Sequence, residues 1–175
     1  ILFITFILYT MLAEAQTLQI DWSATQLPVA NGQNNQYGLA GASSGATGDY
    51  VLVMGGANFG DKMPWDGGIK KYYDDIYILN FAKNSWLYKT FKLPKNLAYA
   101  ATVSTPKGIV CIGGENEAGL SKEVHLINFD PVAQKIITSR LPDLPVEFTN
   151  ASATVFSNII YVSGGETSAG TSNLF

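Results

Sequence analysis

The chain has 175 residues, of which 14% are charged, and its formal net charge is −3 at pH 7. It therefore lacks the basic surface that releases counterions from nucleic acid, and we expect no nucleic-acid partner. Its one cysteine, Cys111, excludes an internal disulfide and lies in an apolar stretch where a small buried thiol is expected.

The N-terminal segment has the pattern of a secretory signal. Residues 1–12 are almost wholly apolar and are followed by Ala13-Glu14-Ala15, a small-x-small cleavage pattern. A membrane anchor is the alternative, but about a dozen apolar residues fall short of the roughly 20 that a spanning helix needs. We therefore expect residues 1–15 to be removed and the mature protein to be exported, periplasmic or extracellular, without membrane contact after cleavage.

An internal repeat dominates the remaining chain. Three apolar, β-branched segments each run into a glycine pair: 50–56, 109–114 and 159–165. Small, β-prone residues precede each pair, at 39–42, 101–103 and 153–155, and a further strand pattern follows at 75–80 and 123–128. A Leu-Pro then ends a unit at 27–28, 93–94 and 141–142. Each unit is thus predicted to form four short antiparallel strands.

Units of about 50 residues with a glycine pair after the second strand resemble the kelch repeat of β-propellers. We expect an all-β fold with a domain over 16–175 and blades near 37–94, 97–142 and 149–175. Residues 20–28 are expected to form a ring-closing strand. Propellers have about 4–8 blades, so we expect a fragment with about three blades of a six-bladed ring.

The loop after the first glycine pair, residues 57–74, is about twice as long as the loop after the second. It contains glycines, aromatic residues, two lysines and three aspartates. Binding groups concentrate in loops that a rigid scaffold holds. A solvated surface loop held by its own aromatic residues is the alternative that composition leaves open.

Two stretches of this loop, 58–68 and 70–77, resemble the first loop of the cyclically permuted mutarotase family, exported kelch proteins similar to N-acetylneuraminate epimerase. The resemblance implies exchange between the α and β anomers of sialic acid, with a small sugar acid as substrate and without a cofactor or metal. The family's catalytic residues match no motif in this chain, so none is transferred.

Ring opening and closure need an acid, a base and a cation for the substrate carboxylate. The loop offers Asp61, Asp66 and Asp74 as candidate catalytic proton carriers. Candidate substrate-binding residues, which can stack on a sugar face, bond to hydroxyls or pair with the carboxylate, are Asn58, Phe59, Trp65, Lys70, Lys71 and Tyr72.

Two other functions remain open from the sequence. A noncatalytic kelch module could bind a glycan or a protein, because fold does not fix function. A copper oxidase of the galactose oxidase type shares the blade pattern but needs histidine and tyrosine ligands together. His125, the only histidine, alternates with apolar residues in a strand pattern, which favours a packed position.

Overall fold

A computed structural model describes residues 19–60 and 62–173. The predicted signal at 1–15 and the candidate Asp61 lie outside the described residues. The only helical turn in the described ranges is a 3-10 turn at Pro64–Asp66, and no helix there is long and apolar enough to cross a membrane.

The first repeat contains the strands β1 (Ser43–Thr47), β2 (Tyr50–Met54), β3 (Ala57–Asn58), β4 (Lys71–Tyr72), β5 (Asp75–Asn80), β6 (Ser85–Trp86) and β7 (Phe91–Lys92). Its antiparallel sheet has the order β1-β2-β5, and the short strands β6 and β7 both pair with the outer edge of β5. The strands β3 and β4 form a separate small hairpin. The apolar, β-branched composition of β2 and β5 suits a central strand packed on both faces.

The second and third repeats contain the strands β8 (Ala101–Thr105), β9 (Gly108–Ile112), β10 (Glu115–Asn116), β11 (Gly119–Leu120), β12 (Val124–Asp130), β13 (Lys135–Leu141), β14 (Ser152–Phe156), β15 (Ile159–Ser163), β16 (Glu166–Thr167) and β17 (Gly170–Thr171). The second sheet repeats the plan of the first with the order β8-β9-β12-β13, and the third begins it with β14 and β15. These repeated antiparallel sheets confirm the prediction of an all-β kelch-type propeller fold.

Alternate residues of β9 show how the sheets stack. Ile109 and Cys111 face the core shared with the first sheet, while Val110 and Ile112 face the core shared with the third. Because successive side chains of a strand point to opposite faces, the burial of all five residues shows that both faces of this strand are covered. Cys111 is 1% exposed, which confirms the expected buried thiol.

The glycine pairs lie just beyond the second strand of each sheet, because β2, β9 and β15 end one residue before them. Gly55 and Gly113 have φ of +64° and +65°. A Cβ atom on Gly113 would lie 2.5 Å from the carbonyl oxygen of Phe148, which belongs to the connection leading to the third sheet. The predicted role of these glycines, a sharp exit and a close approach to the next blade, is confirmed.

Two strand predictions need correction. The first strand of the first repeat is 43–47 rather than 39–42, because Gly41 adopts a left-handed conformation with φ of +61° and interrupts the extended chain. The outer row of this sheet is not one strand but the two short pieces β6 and β7. Residues 19–30 contain no strand, and the ring-closing role of 20–28 stays a prediction.

Candidate functional site

The loop after each glycine pair folds into a hairpin based on two residue pairs: β3 with β4, β10 with β11, and β16 with β17. The second and third hairpins have two-residue tips, whereas the first has a tip of twelve residues, 59–70. The hairpins start beside the chain that leads into the first strand of their own sheet, through the bridges Ala40 to Ala57, Ala98 to Glu115 and Thr149 to Glu166. The hairpins and the connections that lead into each sheet therefore lie on the same side of the molecule.

Asn58 secures the base of the long loop. Its side chain accepts hydrogen bonds from the Gly60 N–H and the Tyr73 hydroxyl, both at 2.9 Å, and donates to the Gly38 carbonyl at 3.2 Å. Asn116 makes the corresponding backbone contacts in the second hairpin. Asn58 therefore has a structural role that recurs in the repeat, and its predicted contact with a substrate stays a prediction.

A groove of about 520 Å³ opens beside the long loop at the boundary between the first two sheets. This volume falls in the range of ligand pockets, about 300–1,000 Å³. Three of the predicted binding residues, Asn58, Phe59 and Lys70, line it. The remaining lining residues come from the chain before β1, the first hairpin and the chain before β8: Tyr37, Gly38, Leu39, Ala40, Ala57, Gly60, Met63 and Tyr99.

Lys70 is the charged residue among the described residues that line the groove. Its Nζ lies 2.7 Å from Glu115 Oε1 and 4.3 Å from the centre of the Tyr99 ring. Partial burial is the largest single influence and lowers the pKa of Lys70, but the hydrogen bonds to Glu115 and Tyr72 and the charge of Glu115 together outweigh it and raise the lysine pKa. The groove therefore presents an ammonium group that stays protonated at neutral pH.

The Tyr72 hydroxyl donates a hydrogen bond to the same Glu115 oxygen, at 2.7 Å. Burial and this hydrogen bond to the carboxylate both raise the pKa of the phenol. Burial alone would raise the pKa of Glu115, but the bonds from Lys70 and Tyr72 lower it. Lys70, Tyr72 and Glu115 therefore form a cluster with one ammonium, one neutral phenol and one carboxylate.

The other predicted residues lie apart from this cluster. Trp65 is 80% exposed and belongs, with exposed Asp66, to the 3-10 turn at the loop tip. Lys71 is exposed, with its Nζ 5.3 Å from the centre of the Tyr73 ring. Asp74 pairs with Lys92 at 2.7 Å and does not line the groove. In the described ranges, no three His, Cys, Asp or Glu side chains are grouped to hold a metal.

Sequence reasoning missed Glu115 and Tyr99 as parts of this site, because both come from the second repeat. Glu115 directly follows the second glycine pair, at the position that Ala57 and Glu166 occupy in the other repeats. Tyr99 has a left-handed φ of +57°, a strained conformation for a tyrosine, and its N–H donates to the Gly41 carbonyl at 2.7 Å. An alignment of the three repeats locates Glu115 at the start of the second hairpin, but its contact with the long loop depends on how the two sheets pack.

The solved structure of YjhT matches the fold of this chain with a TM-score of 0.56 and 18% identity, over 73% of this chain and 45% of YjhT, a likeness that concerns the fold alone.

Among relatives, the N-acetylneuraminate epimerase of Brucella melitensis biotype 1 is 38% identical over 122 residues, which are 64% of this chain and 31% of that protein. The N-acetylneuraminate epimerase of Vibrio vulnificus is 37% identical over 62% of this chain and 30% of its own length. The chain thus spans about a third of the length of these curated relatives. The family model for N-acetylneuraminate epimerase matches residues 9–136. The chain belongs to the N-acetylneuraminate epimerase family.

Proposed function

We propose that the protein containing this chain interconverts the α and β anomers of N-acetylneuraminate. The observation that carries the proposal is the groove: it lies beside the long loop, within the residues that match the family model, and it holds a protonated lysine among aromatic residues. Apolar and aromatic walls with a few placed polar groups are typical of sites for small molecules.

The substrate would use the two kinds of surface in different ways. The ring of Phe59 lines the groove and can cover an apolar face of the sugar, and exposed Trp65 can add a second stacking surface from the loop tip. The Lys70 ammonium can donate to the carboxylate that distinguishes this sugar from neutral ones. Lys71 points its charge at Tyr73 and is the weaker candidate for that contact.

Anomer exchange opens the ring when a base removes the proton of the anomeric hydroxyl and an acid protonates the ring oxygen; closure on the other face reverses both transfers. Asp61 and Asp66 remain candidates for these proton carriers. Asp74 is less suited, because its carboxylate is paired with Lys92. The chain covers about a third of its relatives, so further groups from the rest of the protein belong to the proposal.

Nuclear magnetic resonance can test the function by following exchange between the anomers at a pH where the spontaneous rate is slow. One variant of the full-length protein replaces the twelve-residue tip 59–70 with the two-residue tip Glu117-Ala118 of the second hairpin. The blades should still fold, because the hairpin base keeps its own pairing, and the exchange rate should fall to the uncatalysed level. Undiminished exchange in this variant would remove the loop from the site.

A noncatalytic glycan- or protein-binding module is the second candidate, favoured by three exposed apolar side chains at the loop tip. Met63 is 52% exposed, Trp65 80% and Ile69 85%. A full-length protein that binds glycans without accelerating anomer exchange would favour this function.

Export with cleavage after Ala15 is also part of the proposal. Mass spectrometry of the secreted protein tests it, and a secreted protein that keeps residues 1–15 would refute it.

A further inference from the structure

The carboxylate of Glu115 links two blades at the groove. It belongs to the first residue of β10, in the second blade, yet one of its oxygens accepts hydrogen bonds from two side chains of the first blade's long loop. Both donors, Lys70 Nζ and the Tyr72 hydroxyl, lie 2.7 Å from Oε1. With side-chain exposures of 30% for Lys70 and 18% for Glu115, the ion pair is partly shielded from water.

These contacts fix the direction of a flexible side chain. Lys70 is held between the carboxylate and the face of the Tyr99 ring, whose centre lies 4.3 Å from Nζ. An ammonium group has three N–H donors, and Glu115 accepts one of them. The ammonium also interacts with the Tyr72 side chain, which leaves one N–H donor for a ligand in the groove that Lys70 lines.

We infer that Glu115 is a positioning residue that holds the Lys70 ammonium over Tyr99, ready for the carboxylate of a sugar acid. The inference rests on the proposed function and assigns to this groove a ligand class, monosaccharides with a carboxylate. The site is then incomplete without the second blade, which supplies both Glu115 and the Tyr99 ring. Holding a lysine in its bound conformation improves affinity because less side-chain freedom is lost on binding.

Glu115 itself is poorly suited to carry protons. Its Oε1 accepts two hydrogen bonds, which stabilise the ionised form. A carboxylate held ionised in this way is a weak base and a poor acid near neutral pH. Its contribution therefore goes through Lys70 and Tyr72 rather than through direct proton exchange with the substrate.

Three substitutions separate the length of the side chain from its charge. E115Q keeps the length and one acceptor oxygen, E115D keeps the charge but is one methylene shorter, and E115A keeps neither. In the full-length protein we expect KM for N-acetylneuraminate to rise about tenfold in E115D and E115A and less than about threefold in E115Q, since the lost freedom of one lysine side chain corresponds to about tenfold in affinity. The kcat should change little in all three.

E166A is the matched control. Glu166 follows the third glycine pair, its side chain is exposed, and none of the described lysines pairs with it. Its removal should leave KM unchanged. The nitrogen-15 signal of the Lys70 ammonium gives a readout that needs no catalysis: slow hydrogen exchange should persist in the wild type, E115Q and E166A and be lost in E115D and E115A.

The outcomes are distinct. If wild-type protein does not accelerate anomer exchange, the proposed function fails, and the positioning role is then judged by the ammonium signal and by the dissociation constant of N-acetylneuraminate in the same variants. If E115D behaves as wild type while E115Q loses affinity, charge rather than position is the cause and the inference is wrong. The inference is equally overturned if all variants lose stability but keep KM, or if the wild type does not bind N-acetylneuraminate.

Discussion

Replacing Gly113 with alanine should destabilise the protein by about 3 kcal/mol. A left-handed φ costs an L-residue about 1–2 kcal/mol. The new Cβ would lie 2.5 Å from the Phe148 carbonyl oxygen, where ordinary contact begins near 3.4 Å. That oxygen must therefore withdraw, which weakens the 2.7 Å hydrogen bond that it accepts from the Gly114 N–H. Loss of such a bond adds about 1 kcal/mol, and the remaining overlap adds more.

Gly48→Ala separates the two causes. Gly48 lies in the turn between β1 and β2 with a φ of +55°, and no atom lies within 4 Å of the Cβ that alanine would add. This variant should lose only the conformational part, about 1 kcal/mol. Urea unfolding of the full-length protein, followed by tryptophan fluorescence, gives the free energy of unfolding of each variant. The two values are comparable when the variants have equal m values, the slopes of the free energy against urea concentration. Equal losses in the two variants would show that the approach of the next blade does not constrain Gly113.

The remaining predictions concern two titratable groups. Hydrogen bonds from Lys95 and His125 lower the pKa of Glu123 from 4.5 to about 2, so its stabilising effect is complete above pH 4.5 and is lost as the pH falls towards 2. Glu123→Gln should therefore make the free energy of unfolding less dependent on pH between about 2 and 4.5. An unchanged pH dependence would show that Glu123 does not interact with Lys95 and His125 in this way. Burial raises the pKa of the Cys111 thiol to about 12. Native protein at pH 8 should resist a thiol reagent that labels it fully in urea, whereas rapid labelling without urea would show that the core between the first two blades opens readily.

Much of the fold could be predicted from the sequence, because the repeat places strong local signals in a common register. The glycine pairs and the β-branched segments before them located the second strand of each sheet. The start of the first strand was harder to predict, because Leu39 and Ala40 are as suited to a strand as Ser43 and Ser44. What decides the boundary is the left-handed conformation of Gly41, whose counterparts, Tyr99 and Asn150, share it without sharing a residue type.

The site was predicted only in the part that one repeat encodes. The length and composition of the loop identified it, and Phe59 and Lys70 do line the groove. The partners of Lys70 could not be found in the same way, because Glu115 and Tyr99 are distant in the chain and meet the loop only when the second sheet packs against the first. A prediction based on one loop therefore supplies one wall of a site that two blades build.

The recurrent hairpin base has a consequence for how such proteins diversify. Each base is anchored by backbone hydrogen bonds: Tyr73 N–H to the Gly56 carbonyl, Ser121 N–H to the Gly114 carbonyl and Ser172 N–H to the Gly165 carbonyl. The anchoring is the same whether the tip has two residues or twelve. Tip length can therefore change by insertion or deletion in one repeat while the strands of all the repeats keep their register. A protein built in this way can therefore gain or lose a binding loop at one blade by a single insertion or deletion, while the neighbouring blades keep their structure.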